Sequence, residues 1–151
     1  KVNPPLRSEE DRRAVIEGLR DGTIDCIGTD HAPHNQAEKE LEITRAPFGM
    51  IGLETTLSLP LMELVGKEKM KLMHVLEKLT VNPARVLGST LGVLKKGAPA
   101  DITIFNPKKR WRVTVNALRS RSKNTPLLNK DMTGRCAAVI MNGSVKYQLP
   151  D

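Results

Sequence analysis

One short stretch constrains the fold more than any other. It is a capped amphipathic helix, a sharp turn and a seven-residue apolar run, and it ends on a knot of polar residues. Ser8-Glu9-Glu10-Asp11 opens the helix: Ser8 can cap it, and the acids suit the positive end of its dipole. Val15, Ile16 and Leu19 then recur at helical spacing, and Asp21-Gly22 stops the run. Thr23-Ile24-Asp25-Cys26-Ile27-Gly28-Thr29 is rich in β-branched and small apolar residues, the pattern of a buried strand. Helix, turn and buried strand make one step of an αβ repeat. Asp30-His31-Ala32-Pro33-His34 follows at the strand's C-terminal end, where parallel α/β enzymes carry their catalytic groups.

The rest of the chain divides by texture. A polar stretch runs to Gly52, broken by Pro47, Gly49 and Gly52, and so long a connection marks a functional loop. Helical patterns cover 53–65 and 70–79, and a third helix begins near Asn82-Pro83, with Asn82 as its cap. From Gly92 turns and strands take over. Ala100 to Phe105 reads as a strand ended by Asn106-Pro107. Asn142-Gly143 between two apolar runs is a hairpin signal. The charge changes at the same place: residues 1–94 hold 12 Lys/Arg against 14 Asp/Glu, residues 95–151 hold 12 against 3. A basic stretch can face nucleic acid, but aromatic residues are only 3% of the chain, too few for base stacking, and a solvated basic face is the better reading. At 39% hydrophobic residues the chain can build a core, and no apolar run nears the ~20 residues of a membrane span. Cys26 and Cys136 lie in apolar runs, which fits reduced thiols and a cytoplasmic setting. The chain opens on Lys1, directly in a motif, which is the expectation for a fragment.

Three blocks can carry chemistry. Asp30 can ligate a metal or exchange a proton; it can equally be a turn residue bonded to nearby amides. His31 and His34 are two of three histidines, and surface-loop duty is an equal alternative for each. His74 falls in a helix and is given no role. Asp30 and His34 stand four apart, but Pro33 argues against their pairing on one helical turn. Asn3, stiffened by Pro4-Pro5, offers a donor and an acceptor for a ligand carboxylate or amide, or forms a plain turn. Phe48-Gly49, after Ala46-Pro47, lets a ligand approach main-chain groups, or again is a turn.

Together these blocks resemble the C-terminal half of bacterial-type dihydroorotase. The likeness rests on Asn3-Pro4-Pro5-Leu6-Arg7, Asp21-Gly22-Thr23, Asp30-His31-Ala32-Pro33-His34, Glu38-Lys39, Ala46-Pro47-Phe48-Gly49, Gly52-Leu53-Glu54-Thr55, Asn82-Pro83-Ala84, Gly97-Ala98-Pro99-Ala100-Asp101 and Asn124-Thr125-Pro126. It covers essentially the whole chain. Hydantoinases and allantoinases look different at the first and third of these motifs. The resemblance implies an α/β fold: the C-terminal part of a (β/α)8 TIM-type barrel over residues 1–92, and the C-terminal share of a small β-sandwich domain over 93–151. It implies reversible cyclisation of N-carbamoyl-L-aspartate to L-dihydroorotate, a step of pyrimidine biosynthesis. In hydrolysis a metal-bound hydroxide attacks the ring amide carbonyl.

Residue by residue, Asp30 matches a metal-ligating aspartate that is also general base and acid. Asn3 and His34 match substrate-binding positions near the carboxylate. Phe48 and Gly49 match a main-chain pair at the amide edge of the ring. The implied cofactor is zinc, one or two ions, with most ligands upstream: the His-x-His motif, the bridging acid or carboxylated lysine and two further histidines are absent here. The implied partners are the small-molecule substrate, the N-terminal half of the same enzyme, and a homodimer mate or aspartate transcarbamoylase, with neither nucleic acid nor membrane among them. The alternatives are a non-catalytic dihydroorotase-like subunit that scaffolds aspartate transcarbamoylase, and another cyclic-amide hydrolase of the same superfamily.

Overall fold

A computed structural model describes residues 1–150. Helix α1 (Glu9–Asp21) begins as expected, with a reciprocal cap in which Ser8 Oγ accepts the Asp11 amide and Asp11 accepts the Ser8 amide. Gly22 ends it. Ile16 and Leu19, on one face of α1, pack with Leu64, Met70 and Val75 into the first core. Helix α2 (Gln36–Lys39) is a single turn inside the long polar loop, capped by Asn35 and Glu38. A 3-10 turn at Leu53–Thr55 leads to α3 (Ser58–Pro60), which widens into π-helical turns over Leu61–Lys67; helices α4 (Leu72–Glu77) and α5 (Val81–Val86) follow.

Three antiparallel strands, β1 (Ile102–Arg112), β2 (Asp131–Met141) and β3 (Ser144–Gln148), form one sheet in that order. The β2–β3 turn falls on Asn142-Gly143, whose φ angles of 48° and 75° are those a two-residue hairpin turn demands. A second core joins the two stretches of the chain: Ile51 packs with Val113, Leu118 and Met132. The Trp111 indole N–H donates to Ser58 Oγ and the Gly134 carbonyl, both at 3.1 Å, and locks the sheet to α3.

Three expectations need correction. Residues 23–29 are not the buried strand expected: Thr23 and Ile24 lie in a bend, none of the seven is buried, and no strand among the described residues pairs with them. Single bonds hold the segment instead. The Ile27 amide donates to the Lys78 carbonyl at 2.9 Å, Lys78 Nζ donates to the Ile24 carbonyl, and Asn82 Nδ2 donates to the Asp25 carbonyl at 2.9 Å. Asn82 therefore lies within α5 rather than capping it; Thr80 precedes that helix without a side-chain cap. Finally, β1 does not end at Asn106-Pro107. The strand runs on to Arg112, and a shift of register between Asn106 and Arg110 absorbs the proline, whose missing N–H is tolerated on an edge strand.

Candidate active site

Asp30 follows the 23–29 segment with φ of 43°. A left-handed backbone is costly for an aspartate by roughly 1–3 kcal/mol and gathers at functional sites. Its carboxylate is exposed and has no hydrogen-bond partner among the described residues, so it is not the turn-forming aspartate that the sequence left open. From Asp30 the chain runs alongside residues 49–52. His31 forms a parallel bridge with Met50, and the Ala32 amide donates to the Met50 carbonyl at 2.9 Å. His31 Nδ1 accepts the Gly52 and Leu53 amides at 3.1 and 3.3 Å. A neutral His31 ring then carries its proton on Nε2. The ring thus positions the 3-10 turn.

Gly49 is the tightest point. Its φ is +123°, and a Cβ placed there would lie 2.4 Å from the Ala32 Cβ and 3.2 Å from His34 Nε2. Glycine at this position therefore brings the His34 ring against the Phe48–Gly49 main chain. The Gly49 amide donates to the Lys1 carbonyl at 3.0 Å. Its carbonyl accepts Lys39 Nζ at 2.9 Å and Asn124 Nδ2 at 3.1 Å. Both polar groups of Gly49 are thus engaged inside the chain. Phe48 keeps its N–H and C=O without partners among the described residues, and its half-exposed ring lies under the Lys1 ammonium at 4.5 Å. The Asn3 and His34 side chains likewise have no hydrogen-bond partner among the described residues.

Three side chains hold this cluster together. Asn124 Nδ2 bonds the Ala32 and Gly49 carbonyls, and the Asn124 carbonyl accepts the Ile51 amide. Ser122 Oγ donates to the His34 carbonyl at 2.8 Å. Lys39 Nζ reaches the carbonyls of Lys1, Pro47 and Gly49 at 3.1, 2.9 and 2.9 Å. Sequence reasoning assigned none of these a role. Their partners are main-chain carbonyls eight to 92 residues away, and no local pattern announces such contacts. Among the described residues no three His, Cys, Asp or Glu side chains come together to hold a metal. Asp30 is the candidate ligand that the cluster offers, and by itself it does not fit a metal centre, which needs three or four.

Helices packed on a cluster of loops and joined to a three-stranded antiparallel sheet, with the unengaged Asp30 carboxylate among the loops, make up the architecture that carries the candidate site. The chain belongs to the amidohydrolase family, whose pattern it matches over residues 2–146. It is 46% identical to a dihydroorotase of Clostridioides difficile, over 97% of this chain and 34% of that protein. It is 49% identical to a dihydroorotase of Aquifex aeolicus, over 98% and 35%. The chain thus spans about a third of the length of the curated relatives it matches. Among solved structures it superposes on the L-hydantoinase (dihydropyrimidinase) of Arthrobacter aurescens with a TM-score of 0.91 at 31% identity, covering all of this chain and 35% of that one. On the dihydropyrimidinase of Brevibacillus agri the TM-score is 0.90 at 24% identity, over 97% and 33%, a likeness of fold. The expected fold class, part of an amidohydrolase α/β barrel with an attached sheet, is borne out.

Proposed function

We propose that this chain carries the substrate-binding and proton-transfer side of a dihydroorotase, whose remaining barrel lies outside these residues. The observation that carries the reading is the pairing of a strained, unengaged Asp30 with a cluster in which Asn3, His34 and the Phe48 main chain are also left free. In hydrolysis of L-dihydroorotate, Asp30 accepts a proton from the attacking water. It returns that proton to the ring nitrogen as the ring C–N bond breaks, giving N-carbamoyl-L-aspartate. Asn3 and His34 bind the substrate carboxylate. Phe48 pairs its N–H and C=O with the amide edge of the ring, while Gly49 supports it. Asp30 would be one ligand of a zinc centre of one or two ions, whose other ligands would have to come from outside these residues; bound there, the metal would supply Lewis acidity toward the ring carbonyl. We read residues 1–92 as the barrel portion and 93–151 as the share of a composite β-domain, a division supported by the confinement of all three strands to the second stretch. A cytoplasmic setting, and a homodimer mate or aspartate transcarbamoylase as partner, belong to the same proposal.

The test is kinetic. The complete enzyme should turn over L-dihydroorotate at least about 10²-fold better than hydantoin or dihydrouracil, which lack the carboxylate. Asp30→Asn should cost roughly 10²–10⁴ in rate while dihydroorotate still binds. Equal turnover of the three rings would favour a broader cyclic-amide hydrolase. Near-normal kcat in Asp30→Asn would remove Asp30 from proton transfer.

A further inference from the structure

From the geometry around Lys39 we infer that this residue is a positioning residue for substrate capture: its ammonium is a clasp that holds the Lys1–Asn3 segment against the Phe48–Gly49 loop. The inference rests on the reading of Asn3 and Phe48 as recognition groups. An ammonium has three donors, and Lys39 spends one each on the carbonyls of Lys1, Pro47 and Gly49, at 3.1, 2.9 and 2.9 Å. Those carbonyls belong to two separate stretches of chain. One lies two residues before Asn3, and the other two flank Phe48 on either side. The Gly49 amide closes the same junction by donating to the Lys1 carbonyl. Helix α2, a single turn stapled by Asn35 and Glu38 directly after His34, delivers the side chain.

No carboxylate pairs with Lys39 among the described residues, so the clasp is made wholly of main-chain dipoles. Two consequences follow. A charge-assisted bond at the Pro47 carbonyl polarises the Pro47–Phe48 peptide and strengthens the Phe48 N–H as a donor. The positive charge also stays uncompensated beside the site, where it favours an anionic ring substrate. A neutral side chain would leave three carbonyls without their common partner and let the two stretches separate.

The experiment uses the complete enzyme with Lys39→Met and Lys39→Arg. For Lys39→Met, KM for L-dihydroorotate should rise at least tenfold with kcat within threefold, and metal content should be unchanged. Deuterium uptake should quicken in peptides covering 1–7 and 46–52 but not in the β2–β3 hairpin. Lys39→Arg keeps the charge, but its planar fork cannot aim three donors at one point, so KM should stay raised at least fivefold. Unchanged KM in the methionine variant, or equal losses in kcat and 1/KM, overturns the clasp; so does full rescue by arginine, which would assign the effect to charge alone. If Lys39→Met does not accumulate folded, Lys39→Gln carries the same comparison. If the parent enzyme does not hydrolyse dihydroorotate at all, the functional reading falls, and the exchange pattern alone decides the clasp.

Discussion

Gly49 shows how one residue can set the shape of a site through its backbone conformation and close packing. Two separate costs meet there: a φ of +123°, and a would-be Cβ only 2.4 Å from the Ala32 Cβ. Gly143 carries the first cost without the second, since its φ is +75° and nothing lies within 4 Å. The two glycines therefore separate backbone strain from steric conflict. Gly143→Ala should cost about 1 kcal/mol, the price of a left-handed alanine. Gly49→Ala should cost that and a further ~1–3 kcal/mol for overpacking, because the nearest atom belongs to a short side chain on a tethered segment. It should also push His34 away and raise KM. Melting temperatures of the two variants of the complete enzyme, with dihydroorotate kinetics, check this; equal destabilisation would mean that the 32–34 segment yields easily.

At the scale of elements, what could be read from the sequence depended on where the bonding partners lie. Helix α1 was legible to the residue, because cap, amphipathic face and stop are all local. So was the Asn142-Gly143 hairpin. The 23–29 run reads as a buried strand because β-branched and small apolar residues report what a segment could bury, whereas burial and a ladder both need neighbours that no local signal supplies. Pro107 was read as a terminator because an edge-strand register shift leaves no mark in composition. The site was legible as a set of motifs, Asp30-His31-Ala32-Pro33-His34 above all, but Lys39 and Asn124 were not, since they act through distant carbonyls. The locality of α1 yields a prediction. Its Glu9 carboxyl is held down to about 2 by the Arg12 guanidinium, and Asp21 is lowered by the amide of Thr23. Both folded-state values lie below the unfolded ones. The stabilisation is therefore present above the unfolded values and is lost as pH falls through the folded ones. Backbone chemical shifts of α1 should move toward coil between about pH 5 and pH 2. Ser8→Ala, which removes about 1 kcal/mol of capping, should move that loss to higher pH. Shifts that stay flat across this range would show that packing of Ile16 and Leu19 alone holds the helix.

The whole molecule exposes more surface than a chain of its size should. Its accessible area is 10699 Å², whereas a compact monomer of this mass exposes roughly 7,600 Å². The excess, roughly 3,000 Å², is on the scale of an obligate interface rather than of a loose surface. One part of this surface is an open apolar groove of about 470 Å³. It runs between α1, the 23–29 segment and the helical stretch 58–67, lined by Val15, Ile24, Ile27 and Leu59 over the buried Leu19 and Leu64. Beside it the 23–29 main chain has no ladder partner, so the groove offers apolar contact and unpaired peptide groups together. Covering a fully exposed Val, Leu or Ile side chain is worth about 1.5–3 kcal/mol; Val15 and Leu59, 51% and 36% exposed, therefore supply on the order of 1–3 kcal/mol together toward a polypeptide that fits. The 151-residue chain on its own should therefore associate or aggregate with rising concentration, and Ile27→Asp should weaken that association by placing a charge in the groove. Sedimentation velocity over a hundredfold concentration range measures it. A monodisperse monomer with a sharp, cooperative melt would mean that the groove closes on itself, and that the excess area belongs to extended loops rather than to a face awaiting the rest of a barrel.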